Sequence, residues 1–105
     1  MTTTFDKREE GFEKKFAHDE ELRFKAHARR NRMLGMWAAE KLGLSGDAAA
    51  TYAKEVVMAE LDGQDIAKKV QNDLKAKGVS ESDHQIRRTM QELLEKAVAQ
   101  IKAGT

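Results

Sequence analysis

Not one of the 105 residues of this chain is a proline or a cysteine. Without proline, no position removes a backbone donor from a helix interior, and without cysteine the fold depends on packing rather than on disulfides or thiolate metal sites. Charged residues make up 35% of the chain and hydrophobic residues 40%, a balance typical of amphipathic helices. The sequence therefore predicts an all-α protein whose length suits a single domain.

Hydrophobic residues recur at steps of three and four in four stretches, which is the periodicity of amphipathic helices. The four sets, in chain order, are Leu22, Ala26, Met33, Leu34, Trp37, Ala38 and Leu42; Ala49, Tyr52, Ala53, Val56 and Val57; Ile66, Val70 and Leu74; and Ile86, Met90, Leu93, Leu94, Ala97 and Ile101. Short connections between helices favour antiparallel neighbours. We therefore predict a small antiparallel four-helix bundle.

Turn and capping residues separate the four stretches. Gly43 and Gly78 suit the ends of the first and third helices, since glycine readily adopts the left-handed conformation found there. Asp65 offers N-cap chemistry before the third helix. Ser80, followed three residues later by Asp83, resembles a capping box and predicts that the last helix begins directly after Ser80.

Several classes of function are disfavoured by composition and motifs. A formal net charge of +1 is too low for a nonspecific nucleic-acid binder, and no apolar run approaches the ~20 residues that span a bilayer. The opening residues lack the apolar core of a secretory signal, so we expect the chain to stay where it is made. His18, His27 and His84 are not spaced as metal ligands, and no glycine-rich phosphate loop is present. We expect no enzymatic activity, no metal and no cofactor.

The N-terminal segment differs from the rest of the chain. Residues 5–21, FDKREEGFEKKFAHDEE, are mostly charged, and Phe5, Phe12 and Phe16 share one face of a helix. Burying each ring contributes roughly 1.5 to 3 kcal/mol, whereas ordering each residue costs about 1 to 2 kcal/mol, so three rings cannot order about fifteen residues. We therefore expect residues 1–19 to be a mobile segment that becomes helical on binding a partner, and residues 20–105 to be the bundle domain.

The main alternative for this segment is that the first helix begins early and packs its phenylalanine rings on the bundle. In that case the chain would be a structural helical adaptor, and the N-terminal amides would be ordered in the free protein.

A basic stretch follows the segment. Arg29, Arg30 and Arg32 form a candidate phosphate-binding cluster, with Phe24 or Trp37 as a stacking surface, which would suit a phosphate- or nucleic-acid-binding helical module. The competing interpretation is a solvated face whose cations pair with the acidic residues that precede them.

Four sequence pieces in the first half of the chain carry a specific resemblance. FDKRE at residues 5–9, KFAHDEEL at 15–22, FKAHARRN at 24–31 and LGMWAAEKLG at 34–43 resemble, in order and spacing, the zeta subunit of α-proteobacterial F-type ATP synthases. The resemblance covers about the first 43 residues, and the remainder is similar to the family in helical rhythm and length.

The resemblance implies an inhibitor of ATP hydrolysis whose N-terminal segment enters a catalytic interface between the alpha and beta subunits, near the gamma subunit of the central stalk. It implies no nucleic-acid partner, no direct membrane insertion, a monomer when free, and a place in the bacterial cytoplasm, peripheral on the membrane-bound ATP synthase. By this resemblance the inhibitory segment would bind through apolar anchors and polar contacts: Phe5, Phe12 and Phe16, with Asp6, Arg8, Glu9, Glu13 and Lys15.

Overall fold

The computed structural model describes residues 20–104, and these form four α-helices with no strand among them. The helices are α1 (Glu20–Lys41), α2 (Gly46–Leu61), α3 (Ile66–Ala76) and α4 (Asp83–Lys102). The predicted all-α fold with four helices is therefore confirmed. The proposed inhibitory segment, residues 1–19, lies outside the described residues.

Neighbouring helices run antiparallel, as contacts between distant residues show. Helix α1 packs most extensively on α2 and then on α4. Arg30 of α1 pairs with Glu60 near the end of α2, while Gly35 lies against Ala53, so residue numbers rise along one helix as they fall along the other. Arg29 in the first half of α1 likewise bonds to Gln100 near the end of α4.

Two clusters of buried residues hold the bundle together. The larger one fills the space between all four helices and comprises Leu34, Ala38, Ala39, Ala49, Tyr52, Val56, Ala59, Ile66, Ala67, Val70, Leu74 and Ile86. The smaller one joins the first half of α1 to the end of α4 through Ala26 and Val98. Most residues chosen by periodicity are fully buried, and the others are partly buried, namely Leu22, Met33, Trp37, Leu42, Val57, Met90, Leu93, Leu94 and Ile101.

A glycine sets the distance between α1 and α2. A Cβ atom placed on Gly35 would lie 2.5 Å from the Cα of Ala53, a separation that real side chains do not tolerate. The missing side chain therefore lets the two helix backbones approach closely. Because the contact is with backbone, a rotamer change in Ala53 cannot relieve it.

Helix α4 begins two residues later than the capping-box pattern predicts. Its N-cap is Ser82, whose hydroxyl accepts from the Gln85 N–H at 3.0 Å, so the prediction of a start directly after Ser80 is wrong. Residues 79–81, just before this start, make tertiary contacts instead of a first helical turn. Val79 packs against the main core, and the Glu81 carbonyl accepts from the side chain of Gln71 at 3.3 Å.

The other helix boundaries follow the turn chemistry. Gly43 and Gly78, each with φ of 77°, end the first and third helices as predicted. The Asp65 carboxylate accepts from the backbone N–H groups of Ala67 and Lys68, which satisfies donors at the start of α3. No helix within residues 20–104 is both long and apolar enough to cross a membrane.

Candidate functional site: the first half of helix α1

Helix α1 carries the three arginines of the predicted phosphate-binding cluster, and they differ in burial. Arg30 is buried with 8% exposure, Arg29 is half-buried and bonds to Gln100 at 3.3 Å, and Arg32 is exposed. The three guanidinium groups therefore do not form one common surface in the described structure.

The Arg30 side chain is committed to groups of the protein itself. Its Nη2 donates to the Glu60 carboxylate at 3.0 Å, and its Nε donates to Asn31 Oδ1 at 2.7 Å. Asn31 is itself 1% exposed. Burial lowers the pKa of the Arg30 guanidinium and the Glu60 carboxylate opposes that effect. A buried charge requires such partners, because removing it from water is otherwise costly.

His27 completes this junction between α1 and α2. Its Nδ1 lies 3.3 Å from Arg30 Nη2 and 3.8 Å from a carboxylate oxygen of Glu60. Burial, followed by the neighbouring Arg30 charge, lowers the pKa of His27, while Glu60 acts in the opposite direction. The neutral imidazole is therefore favoured in the folded chain, where its Nδ1 contacts Arg30 at the junction of α1 and α2.

A surface depression of about 480 Å³ lies over the first half of α1. We call it the α1 depression; its lining residues are Phe24, Lys25, Ala28, Arg29, Arg32, Val57, Ile101 and Gly104. Its surface is mainly apolar, its charged members are all cations, and Phe24 remains 57% exposed. It is thus a concave, apolar surface with a basic rim.

Sequence reasoning found only part of this depression. The sequence marks Phe24, Arg29 and Arg32 as candidate binding residues, whereas its periodicity predicts only that Val57 and Ile101 face the interior. Both belong to helices far along the chain, and periodicity does not reveal which helix edges meet. The signal that the sequence does carry is Phe24, an aromatic residue outside the apolar periodicity of α1.

Residues of the proposed inhibitory segment are not covered by the structure. These residues, all outside the described part of the chain, are Phe5, Asp6, Arg8, Glu9, Phe12, Glu13, Lys15 and Phe16. The segment joins α1 at Glu20, about one helical turn before Phe24. Across residues 20–104 no group of three or more histidine, aspartate or glutamate side chains is arranged to hold a metal ion.

The fold and the surfaces of α1 define a small helical-bundle protein with an apolar depression along its first helix. A family model described as ATPase inhibitor subunit zeta matches residues 1–100. A solved structure, determined by NMR in solution, is similar at 39% sequence identity with a TM-score of 0.68, the match covering 80% of this chain and 99% of that one. Comparison with curated proteins gives no significant match. The chain belongs to the ATPase inhibitor subunit zeta family.

The family match confirms the resemblance seen in the first 43 residues and extends it through nearly all of α4. The chain is therefore related to inhibitor subunits along the bundle as well as along the N-terminal segment.

Proposed function

We propose that this chain inhibits ATP hydrolysis by an F-type ATP synthase. Residues 1–19 enter a catalytic interface between the alpha and beta subunits near the gamma subunit and become helical there, while residues 20–105 form the domain that carries them. The observation that carries this proposal is the family match over residues 1–100, which includes the N-terminal segment together with the bundle. The free protein is a monomer in the bacterial cytoplasm and becomes peripheral on the membrane-bound enzyme.

The composition of the segment supports a binding role. Phe5, Phe12 and Phe16 supply an apolar stripe, and Asp6, Arg8, Glu9, Glu13 and Lys15 supply charges beside it. A helix with one apolar stripe fits a groove between protein subunits, where the partner contributes the burial that the isolated segment lacks. The three rings anchor the segment and the charges set its orientation.

Helix α1 is fixed to its neighbours and can therefore serve as a rigid base for such a segment. The Arg30–Glu60 pair fixes one side of α1 to α2, and Ala26 packing on Val98 fixes another side to α4. A helix of nineteen residues would be about 28 Å long. A segment continuing from Glu20 can therefore reach well beyond the bundle while its base stays in place.

The alternative of a phosphate- or nucleic-acid-binding module has less support. It required Arg29, Arg30 and Arg32 to act together, and the Arg30 guanidinium is already bonded to Glu60 and Asn31. Arg29 and Arg32 still line one depression, but without Arg30 the predicted cluster of three arginines is not formed.

The test is ATP hydrolysis by the cognate ATP synthase, purified without its own inhibitor and titrated with the full chain or with a variant lacking residues 1–19. We expect the full chain to lower hydrolysis and the truncated chain to leave it unchanged. Unfolding curves of the two proteins establish whether the bundle is intact in the truncation. Equal inhibition by both would place the inhibitory contact in the bundle, and no inhibition by a correctly folded full chain would refute the proposal.

A further inference from the structure

The α1 depression is lined by one exposed aromatic side chain, and two other exposed hydrophobic residues share a helix face with its lining residues. Four large hydrophobic residues are exposed in the described part of the chain, and Phe24, the most exposed of them together with Leu61, lines the depression directly. Leu61 follows the lining residue Val57 by one turn, and Met36 follows Arg32 by one turn, so each shares a helix face with a lining residue. A collection of apolar groups on one surface indicates a site of interaction.

The charge of the rim indicates what kind of group would bind. Lys25, Arg29 and Arg32 line the depression and no carboxylate does. Lys25 is bonded to Glu21 at 3.2 Å, whereas Arg32 has no ion-pair partner within residues 20–104. An approaching carboxylate can therefore gain an ion pair with Arg32 without breaking one. The complementary partner is acidic and has an apolar side chain to bury.

The shape of the surface favours a protein over a lipid bilayer. The α1 depression is concave and holds about 480 Å³, enough for one or two protruding side chains of a partner. A bilayer surface is flat on this scale and would be met by protruding rather than recessed apolar groups. The formal net charge of +1 also provides little general attraction to anionic lipid.

We propose that the α1 depression is a second docking surface, which receives an acidic segment of the ATP synthase carrying an apolar side chain. This inference rests on the proposed function, because it places the partner on the same enzyme that holds residues 1–19. It adds to that function by making the bundle a contributor to affinity rather than only a carrier of the segment.

The position of the depression explains how a small surface contributes. A stable interface buries about 800 Å² on each partner, and one depression of this size does not supply that area. The depression begins one turn after the inhibitory segment ends, however. Binding of the segment therefore places the depression beside the enzyme. The second contact is then made at a high effective concentration, which strengthens weak binding.

The experiment compares two doubly substituted full-length chains. The first, Phe24→Ser with Arg32→Glu, alters the depression. The control, Met58→Ser with Arg88→Glu, likewise replaces one exposed hydrophobic residue by serine and one arginine by glutamate, at positions that do not line the depression. Dissociation constants for the inhibitor-free enzyme are measured together with unfolding curves. We expect the first variant to bind at least about tenfold more weakly than the control. Equal affinities of two folded variants overturn the proposal.

Photo-cross-linking identifies what occupies the depression. A photoreactive residue replaces Ala28, which lines it, and in a control chain replaces Ala48, which is exposed at the start of α2. We expect position 28 alone to cross-link to an enzyme peptide rich in aspartate or glutamate. Two other results also overturn the proposal. One is cross-linking from position 28 to residues 1–19 of the same chain. The other is a first variant that binds the enzyme normally and has lost only its binding to anionic vesicles.

The two proposals fail in different ways. If the full chain inhibits hydrolysis but both double variants bind the enzyme equally, the docking surface is refuted and the inhibitory function stands. If the full chain binds through the depression without lowering hydrolysis, the inhibitory function is refuted and the docking surface stands.

Discussion

The guanidinium of Arg30 donates to the carboxylate of Glu60 across 3.0 Å, joining α1 to α2 through a cation whose side chain is only 9% exposed. This arginine sits between Arg29 and Arg32 in a stretch that looks uniformly basic in the sequence. The structure assigns it to the interior, because Glu60, Asn31 and His27 surround it with hydrogen-bonding groups.

Replacing Arg30 by alanine should destabilise the bundle. The change leaves the buried Asn31 oxygen without its donor, which costs about 2 kcal/mol, and it also removes the ion pair of the partly exposed Glu60 carboxylate. Urea unfolding of the full chain measures the effect. Arg32→Ala is the matched control, since Arg32 is exposed, and should change the unfolding free energy by less than about 0.5 kcal/mol. Similar losses in both variants would contradict the assigned role of Arg30.

Gly35→Ala tests packing against helix propensity. Alanine is favoured over glycine inside a helix by about 1 kcal/mol, so propensity alone predicts a more stable protein. The added methyl group would lie 2.5 Å from the Cα of Ala53, however, and must push α1 and α2 apart. Since overpacking costs about 1 to 3 kcal/mol, we expect a net loss of stability. The melting temperature decides the sign, and an increase would show that the helices separate at little cost.

The lowered pKa of His27 makes stability depend on pH. The unfolded chain binds a proton on this imidazole near its ordinary value of 6.5, whereas burial and Arg30 postpone protonation of the folded chain to lower pH. Between pH 6.5 and the lowered pKa of His27 in the folded chain, the unfolded state holds more protons than the folded state. The free energy of unfolding therefore decreases as the pH falls through that window.

Two single substitutions isolate the contribution of His27 to the pH dependence of stability. Unfolding curves of both variants are recorded on either side of pH 6.5. His27→Gln should remove part of the decrease in stability, whereas His84→Gln, at an exposed position on α4, should preserve it. An unchanged pH dependence in the His27 variant would show that other groups are responsible.

Within the inhibitory segment, Phe12→Ala should weaken inhibition while leaving the bundle intact. Loss of an aromatic anchor commonly lowers affinity by about tenfold or more when the ring is buried in a partner. The measurement is the concentration of the chain that halves ATP hydrolysis, with a thermal unfolding curve of each variant beside it. Lys14→Ala serves as the control, since Lys14 lies in the same segment but is not one of its predicted contacts. Equal potency of the two variants would remove Phe12 from the anchors.

Most of the fold could be predicted from local patterns. The apolar residues from Ile86 to Ile101 recur at steps of three and four and so predict a helix. These positions fall on one side of a 3.6-residue repeat whatever the rest of the chain does. Gly43 and Gly78 end helices for an equally local reason, their left-handed backbone. The start of α4 was mispredicted because the extension of residues 79–81 depends on the distant partner Gln71.

The sequence by itself determined an all-α chain, the ends of α1 and α3 at Gly43 and Gly78, and the likeness of its N-terminal residues to an inhibitor family, since these follow from neighbours along the chain. Only the tertiary structure decided that Arg30 is interior while Arg32 is exposed, and that Phe24, Val57 and Ile101 line one depression. The physical reason is that burial and electrostatic pairing depend on which helix faces meet, and the residues that meet are 30 positions apart in the Arg30–Glu60 contact and 71 in the Arg29–Gln100 contact.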